Sequence, residues 1–279
     1  MKKLIATISA AVVAAAGLLT FSACGSAEVT YALSEDGNSY IVSGVSGNKR
    51  ALTEYEIPST YDDGVNGVLP VTAVGEEAFM GTTLRSVTIP DSVTTIEDRA
   101  FTYTYLRSIE MPQSVTHIGY GAFAESALVE LVVPQSVAEI ERYAFAYCSS
   151  LHTAVINANI QVLDEGVLKG SVAYDTSGTY SDTVLTEIWL PAALKFIHED
   201  AFSGNFLTDI YFSGTEDEWR DVKIFRKANE GEESDDGFVY FDGEDEETIN
   251  YYSVGGLTIH CADADLVYSN GEIQSTPVN

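Results

Sequence analysis

The dipeptide Ala-Phe recurs at a fixed spacing through the first half of the chain. Its copies are Ala78-Phe79, Ala100-Phe101, Ala122-Phe123 and Ala144-Phe145, so that successive copies are 22 residues apart, and prolines follow the same step at Pro90, Pro112 and Pro134. A fixed period of roughly 20 to 50 residues is typical of repeat proteins, in which each repeat forms one coil and buries its apolar side against neighbouring coils. The period therefore predicts a stack of coils and favours an extended binding surface over a deep catalytic cleft.

Each repeat contains a short segment in which apolar and polar residues alternate. Within residues 84–90, Val87 and Ile89 alternate with Ser86 and Thr88. This period of two predicts a β-strand with one buried and one exposed face. The proline at its end stops the strand, because proline has no N–H to donate to the next coil. We predict equivalent strands at residues 106–112, 128–134 and 151–157.

A second apolar run follows each proline and leads to the next Ala-Phe. Its copies are Val93-x-x-Ile96, Val115-x-x-Ile118 and Val137-x-x-Ile140. We interpret this run as the return path of the coil, a short extended piece followed by one turn of helix that places the phenylalanine in the interior. The small alanine lets successive coils approach closely. The phenylalanines are therefore predicted to stack in a ladder along the axis of the repeats.

These features resemble the BspA-type leucine-rich repeats, whose pattern is Leu-x-x-Ile-x-Ile-Pro-x-x-Val-x-x-Ile-x-x-x-Ala-Phe. The resemblance covers residues 52–212. It implies a mainly β fold with short helical turns: a right-handed leucine-rich-repeat solenoid with parallel strands, repeats of about 22 residues and a cap at each end. It also implies a bacterial surface or secreted protein that binds host or neighbour molecules, and it implies no chemistry.

The N-terminus has the pattern of an export signal. Lys2 and Lys3 precede an uncharged apolar stretch at residues 4–19, which is short for a membrane span. Residues 21–26, Phe-Ser-Ala-Cys-Gly-Ser, resemble a bacterial lipoprotein signal, in which the cysteine is lipidated after cleavage. The resemblance implies export to the bacterial cell surface and lipid anchoring to the membrane at Cys24. The alternative is ordinary cleavage at the Ser22-Ala23 region, which would leave Cys24 as a free thiol.

The charge of the chain restricts its partners. The formal net charge is -28, and cleavage before Cys24 would remove two lysines and no acid, which leaves 12 basic and 42 acidic residues, or -30. Such a polyanion is repelled by phosphate backbones and anionic bilayers. We therefore predict no nucleic-acid partner and no membrane contact except the lipid anchor. Cations, basic proteins and neutral glycans remain possible partners.

The other two cysteines, Cys148 and Cys261, are predicted to be separate buried residues rather than a disulfide.

Departures from the repeat predict the domain organisation. Val167-Leu168 replaces one Ala-Phe pair, and the next pair, Ala201-Phe202, follows 34 residues later, which predicts a loop insertion at about residues 171–183. The segment around Asp36 signals a hairpin, and Thr215 with Glu218 signals a helix capping box. We expect a signal peptide at residues 1–23, followed by a lipidated cysteine and short tether at 24–30. An N-terminal cap and first strand are expected at 31–70 and the repeats at 71–213. A C-terminal cap is expected at 214–279, with an acidic loop at 230–247.

The sequence contains no recognisable catalytic or cofactor motif. The four histidines fall at different repeat positions and are not predicted to converge: His117, His152, His198 and His260. Carboxylates of the acidic loop could wrap Ca²⁺, but the loop lacks the EF-hand pattern, and a solvated loop is the preferred interpretation. We therefore predict a protein with no catalytic residues, no metal site and no cofactor.

Outward-facing positions of the predicted strands form two columns. The first contains Ser86, Ser108, Glu130, Thr153, Glu187 and Asp209, and the second contains Thr88, Glu110, Val132, Val155, Trp189 and Tyr211. Two large aromatic residues at adjacent outward positions favour a ligand site. Such a pair would lie flat against a sugar ring or hold an apolar or cationic side chain. We predict that Trp189 and Tyr211 bind ligand together with Glu187, Asp209, Glu110 and Glu130. The alternative is that the loop at residues 171–183 folds over the rings and buries them.

The predicted function is accordingly a lipid-anchored, non-catalytic binding or adhesion module for an extracellular protein or glycan. A structural or assembly component of the cell envelope is the first alternative. A calcium-dependent or degradative enzyme is the second, and convergence of a histidine with acidic residues in the structure would favour it.

Overall fold

Secondary structure in the computed structural model is almost entirely β. The structure describes residues 26–170, 185–228, 238–242, 257–269 and 272–278. Within these ranges lie one α-helix, α1 at Glu216–Arg220, and one 3-10 turn at Lys49–Ala51. No helix in the described part of the chain is long and apolar enough to cross a membrane.

Twenty strands lie within the described ranges. They are β1 Ala27–Leu33, β2 Tyr40–Gly47, β3 Glu54–Glu56, β4 Thr60–Asp62, β5 Val68–Val74, β6 Ser86–Thr88, β7 Thr95–Ile96, β8 His117–Ile118, β9 Glu130–Val133, β10 Glu139–Ile140, β11 Thr153–Ile156, β12 Val162–Leu163, β13 Glu187–Leu190, β14 Phe196–His198, β15 Asp209–Phe212, β16 Lys223–Lys227, β17 Phe238–Asp242, β18 Leu257–His260, β19 Ala264–Ser269 and β20 Glu272–Pro277.

The strands form several small sheets. One has the order β1-β2-β5-β7-β8-β10, with β4 also paired to β5, and a second has the order β20-β19-β18-β15-β13-β11-β9. A third has the order β12-β14-β16-β17, and β3 pairs with β6 alone. Strands from successive repeats pair in parallel: Thr95 lies opposite His117, and His117 lies opposite Glu139. The prediction of a mainly β protein with parallel strands is confirmed.

The phenylalanines of the Ala-Phe pairs stack as predicted. Ring centroids are 5.3 Å apart between Phe79 and Phe101, 5.1 Å between Phe101 and Phe123, and 5.4 Å between Phe123 and Phe145, with interplanar angles of 6°, 11° and 9°. All four rings are buried. We call them the Phe ladder. Because each ring lies on the next, neighbouring repeats share one continuous core.

Backbone hydrogen bonds hold the ladder at a fixed step. The N–H of Phe79 donates to the carbonyl of Ala100 at 2.8 Å, and the N–H of Phe101 donates to Ala122 at 2.7 Å. The alanines are fully buried, and a larger side chain there would separate the coils.

The return path differs from the predicted turn of helix. Arg99 and Tyr103 have φ angles of 52° and 57°, in the left-handed region. The N–H groups of Ala100 and Thr102 donate three residues back within the turn, whereas those of Arg99 and Phe101 donate to the next repeat. In an α-helix each N–H after the first turn would donate to the carbonyl four residues back. The backbone N–H groups of each turn therefore donate alternately within the turn and to the neighbouring coil.

The strand predicted at residues 106–112 is absent. Tyr105, just before this segment, donates its N–H to Leu84, and Arg107 accepts from Val129. Pro112 has no N–H to give the next coil, but a following proline does not by itself prevent a strand, because β9 and β13 each end directly before one. By contrast, Asn157 replaces the proline in a later repeat and donates to Val133 at 3.0 Å. The sheet of outward-facing strands is thus divided between β6 and β9.

The hairpin and the capped helix that the sequence indicated are both present. Strands β1 and β2 form an antiparallel hairpin, and β2 continues in parallel to β5. Helix α1 begins with the capping box of Thr215 and Glu218. Its Trp219 is buried and packs edge-on against Phe212, with ring centroids 5.3 Å apart.

Some predictions concern residues outside the described ranges. These are the signal segment 1–23, Cys24, the loop at 171–183 and most of the acidic loop at 230–247. Of the described cysteines, Cys148 and Cys261 are both buried free thiols, as predicted.

We expect Phe101→Ala and Phe123→Ala each to lower the free energy of unfolding by about 3–5 kcal/mol, because each opens a cavity between two stacked rings. Thr88→Ala, at an exposed outward position, is the control and should change it by less than about 0.5 kcal/mol. Urea unfolding of the three variants measures the difference. Equal, small effects for all three would contradict the role of the Phe ladder.

Candidate functional site

The outward face of strands β9, β11, β13, β15 and β18 carries the predicted site. The strands are parallel and in register, so side chains two residues apart along each strand form straight columns across the sheet. The first column contains Glu130, Thr153, Glu187, Asp209 and Thr258, and the second contains Val132, Val155, Trp189, Tyr211 and His260. The predicted columns are confirmed from β9 to β15 and continue onto β18.

Three aromatic rings of the second column stack on one another. The centroids of Trp189 and Tyr211 are 4.4 Å apart with an interplanar angle of 7°, and those of Tyr211 and His260 are 4.5 Å apart with an angle of 13°. All three side chains are half-buried. We call Trp189, Tyr211 and His260 the aromatic stack.

The geometry of the stack corrects one expectation. The sequence suggested that Trp189 and Tyr211 would lie flat against a ligand. Both faces of the Tyr211 ring are covered, one by Trp189 and the other by His260. Tyr211 therefore presents an edge to solvent. The face of Trp189 that points away from Tyr211, toward β11, has no ring against it among the described residues.

His260 is held between two carboxylates. Its Nδ1 lies 2.8 Å from Oδ1 of Asp265, and its Nε2 lies 2.9 Å from Oδ1 of Asp209. A neutral imidazole has a single N–H and can donate to only one of them, whereas the imidazolium donates to both. Burial alone lowers the pKa of His260, but the hydrogen bonds and charges of Asp209 and Asp265 outweigh it, so that the pKa is raised. The stack therefore ends in a ring whose charged form is stabilised.

The same contacts set the ionisation of the neighbouring groups. Burial by itself raises the pKa of Asp209. Hydrogen bonds from His260 and Thr208 and the charge of His260 lower that pKa by more, so the net shift is downward. Burial, followed by the charges of Asp209, Glu187 and Asp265, raises the pKa of Tyr211. The site thus combines a neutral phenol, an ionised carboxylate and an imidazole biased toward its cation.

Four of the six predicted ligand residues line two depressions. A depression of about 350 Å³ lies beside the stack and includes Trp189 and Tyr211 in its lining. Glu187 and Asp209 lie two residues earlier on the same strands. A second depression, of about 750 Å³, contains Glu110 and Glu130, near the break in the sheet. Asn157 lines both depressions, so the two are contiguous.

Sequence reasoning missed His260 as a member of the site. His260 follows Tyr211 by far more than one repeat, so the spacing that aligned the other strands did not reach it. The available signal was the alternation in Thr258-Ile259-His260, which matches Asp209-Ile210-Tyr211 in polarity. In the structure these two segments pair in register.

A second histidine also contacts carboxylates. His117 Nδ1 lies 3.2 Å from Glu139 and Nε2 lies 3.3 Å from Glu141. One ligand atom from each of these three residues lies within 4.8 Å of the others, a grouping that is able to hold a metal ion. The three side chains are partly or largely exposed, and they lie on the return-path strands, away from the aromatic stack. Two of the four histidines therefore meet acidic residues, which the sequence did not predict.

These contacts do not place a histidine for general-base catalysis. A catalytic histidine needs one ring nitrogen free to take a proton from a nucleophile or from water. In His260 both nitrogens are hydrogen-bonded to carboxylates. Convergence with acidic residues was the observation that would favour an enzyme; at His260 the two carboxylates are hydrogen-bonded to both ring nitrogens.

Comparison with known proteins identifies the family. The sequence model of the BspA type Leucine rich repeat region matches the chain in six copies, over residues 72–177 and 168–228. These matches span more than half of the chain. The protein therefore belongs to the BspA-type leucine-rich repeat family, as the repeat pattern indicated.

Solved structures of leucine-rich repeat proteins are similar to this chain. One from Bacteroides ovatus is 19% identical, with 74% of this chain and 67% of that one covered and a TM-score of 0.40. One from Bacteroides capillosus is 28% identical, with 46% and 93% covered and a TM-score of 0.41. The leucine-rich repeat protein of T. pallidum is 23% identical, with 66% and 82% covered and a TM-score of 0.39. No curated protein matches the chain.

The pH dependence of stability should reveal the His260 contacts. Because the pKa of His260 is raised on folding, its stabilising contribution is complete below its unfolded value of about 6.5 and is lost as pH rises through the folded value. Because the pKa of Asp209 is lowered, its contribution is present above about 3.9 and is lost as pH falls. We expect His260→Gln to lower the free energy of unfolding by about 0.5–1 kcal/mol near pH 5.5, as for partly exposed ion pairs, and by less near pH 9.

Urea unfolding at the two pH values measures this difference. His152→Gln, at an exposed histidine outside the site, is the control and should behave like the wild type at both. If His260→Gln lowers the free energy of unfolding by the same amount at both pH values, the ring is held by packing alone.

Proposed function

We propose that this protein is a non-catalytic binding or adhesion module at the bacterial cell surface, whose ligand is an extracellular protein or glycan. The observation that carries the proposal is the aromatic stack: three half-buried rings on one sheet face, bordered by the carboxylates Glu187, Asp209 and Asp265. Partly exposed aromatic residues provide large contact areas at low entropic cost and recur at recognition surfaces.

The architecture in this proposal is a right-handed solenoid with repeats of about 22 residues. Residues 71–213 form the repeats, residues 31–70 the N-terminal cap and residues 214–279 the C-terminal cap. Parallel pairing between successive repeats and the regular step of the Phe ladder support the solenoid. The hairpin of β1 and β2 and the buried Trp219 of α1 support the caps, since both bring apolar side chains to an end of the stack.

The proposal includes a lipid anchor. Residues 1–23 act as the signal peptide and Cys24 carries the lipid. The tether is shorter than the predicted residues 24–30, because β1 already begins at Ala27 and pairs with β2. The support is the sequence of positive, apolar and small residues that ends at Cys24. Membrane fractionation of the Cys24→Ser precursor tests it: the variant should move to the soluble fraction with its folded domain unchanged, and retention in the membrane would exclude Cys24 as the anchor.

Binding rather than catalysis follows from the chemistry available at the site. Both nitrogens of His260 are engaged by carboxylates, and the depression beside the stack is shallow and lies on a sheet face. A shallow face can present many contacts to a large ligand but does not exclude water from a reacting bond. The arrangement therefore suits recognition of a macromolecular surface.

The experiment that tests the function begins with protein and glycan arrays probed with residues 24–279. For a ligand found there, Trp189→Ala and Tyr211→Ala should each weaken binding by at least about tenfold, which is typical of aromatic residues at the centre of an interface. Tyr105→Ala is the matched control, because Tyr105 is an exposed tyrosine outside this sheet face. Unchanged affinity in both site variants, with unchanged stability, would exclude the aromatic stack as the ligand site.

A further inference from the structure

The outer face of Trp189 borders an open slot on the sheet. In the second column, Val155 lies between Trp189 and Val132 on neighbouring strands. Strands of a sheet lie about 4.8 Å apart, so Val155 occupies the position at which a further ring of the stack would lie. Its side chain is much shorter than an indole, and Val132 is 51% exposed. We call the space above Val155, between Trp189 and Val132, the Trp189 slot.

Two carboxylates border one end of the slot. Thr153 lies two residues before Val155 on the same face of β11 and is paired with Glu130 on one side and with Glu187 on the other. Diagonal neighbours on one face of a sheet are about 7–8 Å apart, within reach of long side chains. Asn157 lies at the opposite end and lines the depressions on both sides of the slot.

These carboxylates differ from the others of the site in having no partner. Asp209 and Asp265 are both hydrogen-bonded to His260. Glu130 and Glu187 make no hydrogen bond or ion pair within the described residues, although they belong to the same sheet face as Asp209. Among the described residues, the slot therefore combines an aromatic face that no other ring covers with two carboxylates that make no hydrogen bond or ion pair.

We propose that the Trp189 slot binds the guanidinium group of an arginine side chain from an extended polypeptide ligand. The inference rests on the proposed binding function and names the ligand class for the same site. A guanidinium is flat and weakly hydrated, so it stacks on an indole face, while its N–H groups donate in a fork to carboxylates. Stacked on Trp189, it occupies the position of a fourth ring and lies between Glu130 and Glu187.

The alternatives fit the slot less well. A lysine ammonium is a compact, strongly hydrated charge that does not stack as a plane. A neutral sugar can cover the indole face but leaves the negative charge of Glu130 and Glu187 uncompensated. The net charge of -28 attracts a cationic segment over a longer range and favours its association.

The chain makes the same type of contact within itself. The guanidinium carbon of Arg85 lies 5.8 Å from the ring centroid of Tyr105, and that of Arg99 lies 5.5 Å from the centroid of Tyr120. Both distances are within the range of a cation–π interaction. Arginine over an aromatic ring is thus compatible with the surface of these repeats, and the slot offers a tryptophan, which binds cations better than tyrosine.

The test uses two synthetic probes, a short peptide of alternating arginine and glycine and its lysine counterpart, titrated calorimetrically into residues 24–279 at about 0.15 M salt. The arginine peptide should bind at least about tenfold more tightly than the lysine peptide. Val155→Tyr extends the stack by one ring and fills the slot, and it should remove this preference. Trp189→Leu removes the face and should do the same.

Thr88→Tyr is the matched control, because it adds the same ring at an exposed outward position of β6, outside the site, and it should leave both affinities unchanged. Unfolding midpoints establish that each variant is folded. Equal binding of the two peptides, no binding of the arginine peptide, or full binding by folded Val155→Tyr would each overturn the guanidinium assignment.

The same variants separate this inference from the proposed function. If a ligand found on the arrays depends on Trp189 and Tyr211 but binds Val155→Tyr normally, the aromatic stack is the site and the guanidinium assignment is wrong. If that ligand binds Trp189→Ala and Tyr211→Ala with unchanged affinity, the proposed site itself is wrong. Loss of its binding in Val155→Tyr, with an arginine preference in the peptides, supports both.

Discussion

Four successive repeats each add one phenylalanine to a column of stacked rings, and the backbone N–H of the same residue donates to the repeat that follows. The rings of the Phe ladder lie 5.1 to 5.4 Å apart, close to the separation of neighbouring strands. Because the interior and the sheet advance by a similar step, equivalent residues of successive repeats lie beside one another. The columns on the outward face, and with them the aromatic stack, depend on this agreement between packing and pairing.

The fixed step also explains how much could be predicted from the sequence. A residue and its equivalent one repeat later share an environment, so the Phe ladder and the columns from Glu130 to Asp209 followed directly from alignment of the repeats. Features that depend on backbone hydrogen bonding were harder to predict. The strand at residues 106–112 has the right alternation, but its backbone pairing with the neighbouring repeats stops after Arg107, before the proline is reached. The return path is a series of turns rather than a helix, because alternate backbone N–H groups of each turn donate to the neighbouring repeat.

The part of the site that the sequence did not reveal lies outside the repeats. His260 joins Tyr211 only because β18 pairs with β15, a contact between segments without a common repeat pattern. Two carboxylates, one from β15 and one from β19, then hold its ring parallel to Tyr211. This arrangement orders the end of the stack and occupies the nitrogens that catalysis would need. On the other side, the small Val155 leaves the face of Trp189 without a ring against it among the described residues, so the two ends of the stack differ.

Deletion of one full repeat tests the dependence of the structure on the repeated step most directly. Removal of residues 91–112 joins Pro90 to Gln113, so that Phe79 and Phe123 become neighbours in the ladder while every equivalent position stays aligned. The protein should still unfold in one cooperative transition, at a lower denaturant concentration, and the fluorescence of its two tryptophans, Trp189 and Trp219, should be unchanged. Removal of half as many residues, 102–112, should abolish the transition, because it shifts the buried and exposed faces out of alignment. Loss of cooperative unfolding after the full-repeat deletion, or equal tolerance of both deletions, would contradict the account.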